Sequence, residues 1–171
     1  RSSNAVELLL PAGLGGLEGG LMVAAGEGGT AANGQDKLTG IRIGWQSETL
    51  SAHLAQVTTS NDLTSAGKFK DTLFAANGAV GPVRMYAALR QYKYALSRET
   101  LLLLSTVATW GPVDLKVSYL RADMKGKVGA AAIDANDATQ VGLGAIYNLS
   151  KRSALYAQGA RINNDGKATF S

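Results

Sequence analysis

The stretch Val113-Asp114-Leu115-Lys116-Val117-Ser118-Tyr119 changes character at every step. Val113, Leu115, Val117 and Tyr119 fall on one side of an extended chain, and Asp114, Lys116 and Ser118 on the other. A period of two is the mark of a β-strand with one apolar and one polar face, because successive side chains of a pleated strand point to opposite sides. The same alternation recurs elsewhere. In 38–46, Thr39, Ile41, Ile43 and Trp45 oppose Leu38, Gly40, Arg42, Gly44 and Gln46. In 83–92, Val83, Met85, Ala87 and Leu89 oppose Arg84, Tyr86 and Arg90. In 140–147, Val141, Leu143, Ala145 and Tyr147 oppose Gln140, Gly142 and Gly144. The run Leu101–Leu104 has no alternation, and 153–162 reads in either phase.

Brief interruptions at 11–16, 47–48, 81–82, 111–112 and 149–152 recur every 30–40 residues or so. Longer polar segments lie between them, at 27–36, 59–68, 94–98, 124–138 and 163–167, and include the turn formers Asn33-Gly34 and Asp165-Gly166. Short turns thus alternate with longer loops, the asymmetry of a transmembrane β-barrel. The segments between are about ten residues long, which a tilted strand needs to cross the hydrocarbon. About ten strands are expected, near 3–10, 17–26, 37–46, 49–58, 69–78, 83–93, 99–109, 113–123, 139–148 and 153–163, with Phe170-Ser171 starting a further one.

Composition narrows the class. Of the 171 residues, 46% are hydrophobic but only 18% charged, and there are 21 Gly against 3 Pro. Typical soluble domains carry about 25% charge. No apolar run approaches the roughly 20 residues of a membrane helix. The absence of cysteine removes any disulfide framework or Cys metal site. The first residue is Arg1 and no leader pattern precedes the strands, so a mature product or a fragment is expected. Net charge is +4, with both signs dispersed and no Lys/Arg cluster interleaved with aromatics, so nucleic acid is not expected as a partner.

No chemistry-bearing constellation stands out. The chain's one histidine, His53, has no Cys or carboxylate near it in sequence, and Glu18 is isolated. Asp134-Ala-Asn-Asp137 lacks the Gly and distal Glu of an EF-hand. Gly13-Leu-Gly-Gly-Leu-Glu-Gly-Gly20 fits neither the dinucleotide nor the phosphate-loop pattern, and its glycines suit a turn and a tightly curved wall. Asn148-Leu-Ser150 is read as a turn, not a glycosylation acceptor. No nucleophile, base and orienter set is present, so no catalysis, cofactor or metal is expected. The alternation instead sets Arg42, Arg84, Arg90 and Lys116 on the polar face, with Asp114 expected to pair with Lys116. In a barrel these cations point into the lumen, where like charge in a low-dielectric wall concentrates counter-ions. The competing reading makes them ion pairs within the wall. Trp45, Trp110, Tyr119, Tyr147 and Tyr156 sit near segment ends, where interface aromatics belong.

The tail carries a resemblance. Tyr147-Asn-Leu-Ser-Lys-Arg-Ser-Ala-Leu-Tyr156, within the longer run 137–156, resembles the hairpin near the end of β-proteobacterial outer-membrane porins. Tyr119-Leu-Arg-Ala-Asp123 is similar to the end of that family's preceding strand, and Arg1-Ser-Ser-Asn-Ala-Val6 to the segment after its constriction loop. The resemblance is specific over 113–163, looser over 1–45 and weak between. It implies an all-β, antiparallel transmembrane β-barrel of which about ten of sixteen strands are present. The amino-terminal strands, constriction loop and final strand are then missing from residues 1–171. It implies a Gram-negative outer-membrane channel for passive diffusion of small hydrophilic solutes and ions, preferring anions, with Arg1 joining the pore cations. Implied partners are the lipid bilayer, lipopolysaccharide and two further copies in a homotrimer. Aromatics are only 6%, and Leu8, Leu9, Leu38 and Glu18 stand where the family would place tyrosines. Other classes compatible with the pattern are a non-conducting structural barrel or adhesin, and a soluble secreted β-sandwich. If the porin reading holds, segments 3–10 and 153–163 lie at opposite raw edges of a curved wall.

Overall fold

A computed structural model describes residues 4–26, 37–60 and 67–170. Arg1, the expected loop 27–36, residues 61–66 of the loop expected at 59–68, and Ser171 lie outside the described residues. The strands are β1 (Ala5–Leu9), β2 (Leu17–Ala24), β3 (Leu38–Gln46), β4 (Leu50–Thr59), β5 (Phe69–Val80), β6 (Val83–Tyr94), β7 (Ser97–Trp110), β8 (Val113–Val128), β9 (Ala131–Ala132), β10 (Ala138–Ser150) and β11 (Ser153–Asn164). All pairings are antiparallel, and the order is β1-β2-β3-β4-β5-β6-β7-β8-β10-β11, with the two-residue β9 folded onto β8. β1 and β11 are the two free edges, as expected of an open portion of wall.

The connections follow local chemistry. Gly81 (φ 55°) and Gly111 (φ 56°) take the left-handed conformation that closes a two-residue hairpin, and a proline follows each. At the other end of the sheet the connections are mostly longer. One expected loop is not: β6 runs to Tyr94 and β7 starts at Ser97, so the loop expected at 94–98 is a two-residue turn with Ala95 at φ 51°. The loop expected at 124–138 is also shorter, because β8 continues to Val128. Its remainder is held by carboxylates. Asp137 accepts from the Met124 amide at 3.0 Å and Asp134 from the Gly126 amide at 3.1 Å, replacing backbone partners. Phe170 begins no strand; its carbonyl accepts from Asn164 at 2.9 Å.

A pleated sheet has two faces, and register assigns each residue to one, since paired residues share a side. Ile41, Ile43, Trp45, Leu115, Val117, Val141, Leu143 and Tyr147 share one face. Arg42, Arg84, Arg90 and Lys116 share the other. No second sheet covers the Ile41 face. Val6 is 76% exposed, Leu8 69% and Leu143 61%, whereas the buried apolar residues among those described are only Ala24, Ala108, Ala122 and Ala138. A soluble domain buries its large aliphatic side chains. This sheet has none to hide them under, so its apolar face requires an apolar solvent.

Candidate functional site

The Arg42 face carries charges of both signs among glycines and small polar residues. On the described strands it holds Arg42, Arg84, Arg90 and Lys116 against Glu7, Glu18, Asp71, Glu99 and Asp114. It is therefore a mixed surface, and which charges are compensated matters more than their number.

Two of the four cations are paired. Arg90 Nε donates to Asp71 Oδ1 at 3.0 Å and Nη2 to Oδ2 at 2.6 Å, with the guanidinium 4.7 Å from the centroid of the Tyr92 ring. Phe69 stacks on Tyr92 at 5.9 Å and fixes that ring. Arg42 reaches two strands across to Glu7, Nε to Oε1 at 3.8 Å. It passes over Gly20, where a Cβ would come within 3.3 Å of its Nε. The same device appears again one row away. Glu18 and His53, on β2 and β4, meet at 2.9 Å over Gly44 of the intervening β3. A methyl at Gly44 would collide with the His53 ring. Glu18 is thus not isolated, and the polar-face glycines do more than permit curvature. They open lanes through which side chains two strands apart touch.

The other two cations are not ion-paired among the described residues. Arg84 and Lys116 stand on one register row, separated by Val107. At about 4.8 Å per strand their backbones are roughly 10 Å apart. The expected Asp114–Lys116 pair does not form. Asp114 instead accepts from Thr109 Oγ1 at 2.7 Å and from Asn148 Nδ2 at 3.3 Å. Lys116 lines two neighbouring recesses. One, of about 530 Å³, is floored by Gly142 and Gly144 and edged by Ser105, Ser118, Gln140 and Gln158. The other, of about 500 Å³, holds Arg84, Tyr86, Thr109 and Asp114. The result is a hydroxyl- and amide-lined trough, open to solvent, with two cations outside any ion pair of the described residues and the Asp114 carboxylate between them and the short turns.

The aromatic residues divide. Trp45, Trp110 and Tyr147 lie on the Ile41 face at the short-turn ends of their strands. Trp45 Nε1 donates to the Gly15 carbonyl at 3.2 Å. Tyr119 shares that face but sits within β8, between Leu104 and Val141. Tyr156 pairs with Ile146, which pairs with Asp114, so it lies on the Arg42 face. Its place in an outward aromatic belt is thereby lost. Sequence reasoning missed Glu7, Asp71 and the Glu18–His53 pair, because their partners come from other strands.

A meander of long strands with one bare apolar face and one charged, glycine-floored face is the wall of a transmembrane β-barrel. A sequence profile of the Gram-negative porin family matches residues 1–167, and the chain belongs to that family. The family places it in the outer membrane of Gram-negative bacteria. The fold is similar to that of an anion-selective porin from Comamonas acidovorans, with a TM-score of 0.78 at 24% identity over 99% of this chain and 51% of that one. It is also similar to a second solved porin, with a TM-score of 0.68 at 13% identity over 93% of this chain and 55% of the other. The chain therefore spans about half the length of these structures. No curated protein matches it.

Proposed function

We propose that the protein carrying this chain is a diffusion porin whose lumen is lined by the Arg42 face, passing small hydrophilic solutes and ions with a preference for anions. It works by electrostatic selection in a water-filled channel and makes or breaks no bonds. The carrying observation is the Arg84–Lys116 trough: two cations outside any ion pair of the described residues, against the single carboxylate of Asp114, on the face opposite the apolar one. Such charges in a low-dielectric wall raise the local concentration of anions. The anion-selective porin among the similar folds supports the same preference. Residues 1–171 are one portion of the barrel. Further strands continue the wall from the β1 and β11 edges, since unpaired backbone groups in lipid cost several kcal/mol each. Assembly as a homotrimer belongs to the same reading.

Planar-bilayer recording on the intact protein tests it. Stepwise, ohmic conductance with a reversal potential on the anion side under a low-salt gradient is expected. A protein that inserts without conducting would overturn the channel reading in favour of a structural barrel.

A further inference from the structure

The run Leu101–Leu104, which does not alternate, puts leucines on both faces of β7. Leu102 pairs with Leu89 and Leu104 with Tyr119, on the Ile41 face. Leu101, however, pairs with Arg90 and Leu103 with Ala88, so both lie on the Arg42 face. Leu73 and Leu120 join them there, Leu73 in register with Arg90 and Leu120 with Leu103. Ala75 and Ala88 complete the row that leads to Leu103 and Leu120. The charged face thus contains an aliphatic patch running from β5 to β8. Its leucines are half-buried among their neighbours. Among the described residues no strand lies over them, since each strand touches only its neighbours in the sheet. Arg90 stands within the patch but turns its guanidinium to Asp71, one row toward the long loops.

Toward the short turns the next two rows of this face are polar. Tyr86, Ser105, Ser118 and Gly142 are in register, and beyond them Arg84, Val107, Lys116 and Gly144. No carboxylate stands in these rows between Lys116 and Leu120. Asp114 lies on the other side of Lys116, taken up by Thr109 and Asn148. Beside Lys116 the recess floor is open at Gly144, where a methyl would meet nothing closer than 3.8 Å, while Ser118 Oγ leans over Gly142. From Lys116 to Leu120 the backbone runs roughly 13 Å, a span that the lysine side chain and a short hydrocarbon body share. Apolar surface facing water is unfavourable until something covers it. A neutral solute gains nothing from the unpaired cations, and a small inorganic anion gains nothing from the leucines. An anion with an apolar body uses both.

We infer that Lys116, the recess at Gly144 and the leucines Leu103 and Leu120 form a transit site for monocarboxylates with a short hydrocarbon body. The carboxylate accepts a charge-assisted hydrogen bond from Lys116, and the hydrocarbon crosses Ser105 and Ser118 to lie on the leucines. This rests on the reading of the Arg42 face as the lumen, and narrows the favoured solutes to amphiphilic organic anions.

The test is block of single-channel chloride current through the intact protein in planar bilayers, with acetate, hexanoate and neutral hexanamide as probes. Burying a methylene is worth about fourfold and an open face covers about half of it, so the four extra methylenes of hexanoate should give it roughly a fifteenfold advantage over acetate. L103S/L120S should abolish that advantage, and K116Q should weaken block by both acids. Equal block by the two acids, an advantage that survives L103S/L120S, or hexanamide blocking as well as hexanoate would each overturn the site. Equal block with altered conductance in L103S/L120S would overturn it in favour of another segment of the whole protein covering the leucines. Conduction without the hexanoate advantage removes this site alone. In a protein that inserts without conducting, competition dialysis of labelled hexanoate against proteoliposomes reads the same ratio. An advantage that L103S/L120S removes would then keep the site and overturn the channel, and no advantage would overturn both.

Discussion

Arg90 holds Asp71 with both arms of its guanidinium, at 3.0 and 2.6 Å, while Tyr92 lies beneath it. The fork cancels the charge that the sequence alone assigns to the pore field. D71N should free that charge and move the low-salt reversal potential of the intact channel toward stronger anion preference. An unmoved potential would place Arg90 outside the conduction path.

The ion-paired and unpaired cations should behave differently. Replacing Arg84 and Lys116 with Gln should shift the reversal potential toward cations by more than replacing Arg42 and its partner Glu7 together, which removes no net charge. The difference should fade at 1 M salt, where screening shortens to about 3 Å. Equal shifts for both sets would show that ion pairing on this face does not govern selectivity.

Gly44 should matter through the pair above it. G44A pushes the His53 ring aside and should lower the unfolding midpoint of the folded barrel slightly, within about 1 kcal/mol for an exposed pair. H53Q should do the same, and the double variant no more than either, the pattern of coupled sites. G159A, with nothing within 4 Å of the added methyl, is the neutral control. Additive losses in the double variant would refute the lane.

Leu143 tests the solvent of the apolar face. L143R should cost about 2–4 kcal/mol in urea titrations of folding into vesicles, as for a cation at mid-depth in lipid. An exposed leucine of a soluble protein would tolerate the change within about 0.5 kcal/mol. The smaller value would mean that this face meets water.

Much of the wall was legible because the pleat writes itself into the sequence. Where one face meets lipid and the other water, as in 38–46, 83–92, 113–119 and 140–147, the phase is unambiguous, and Arg42, Arg84, Arg90 and Lys116 fall together. Where both faces carry small residues, as in 153–162, it is not. Tyr156 sits near a segment end, where an interface aromatic is expected, and only its register with Ile146 turns it to the Arg42 face. The ion pairs were illegible for a different reason. Arg42 and Glu7 are separated by a whole strand, and only folded register brings them near. The turn at Ala95 carries no glycine to announce it.

The strand order has a kinetic consequence. Each strand pairs with its sequence neighbour, and β8 reaches β10 past only the two-residue β9. Every pairing therefore closes a short stretch of chain, at small entropic cost, and none waits on a distant partner. Such a sheet can grow one hairpin at a time from any point. The slow step is left to whatever joins its two ends, where a single registration must be found between segments that nothing local brings together.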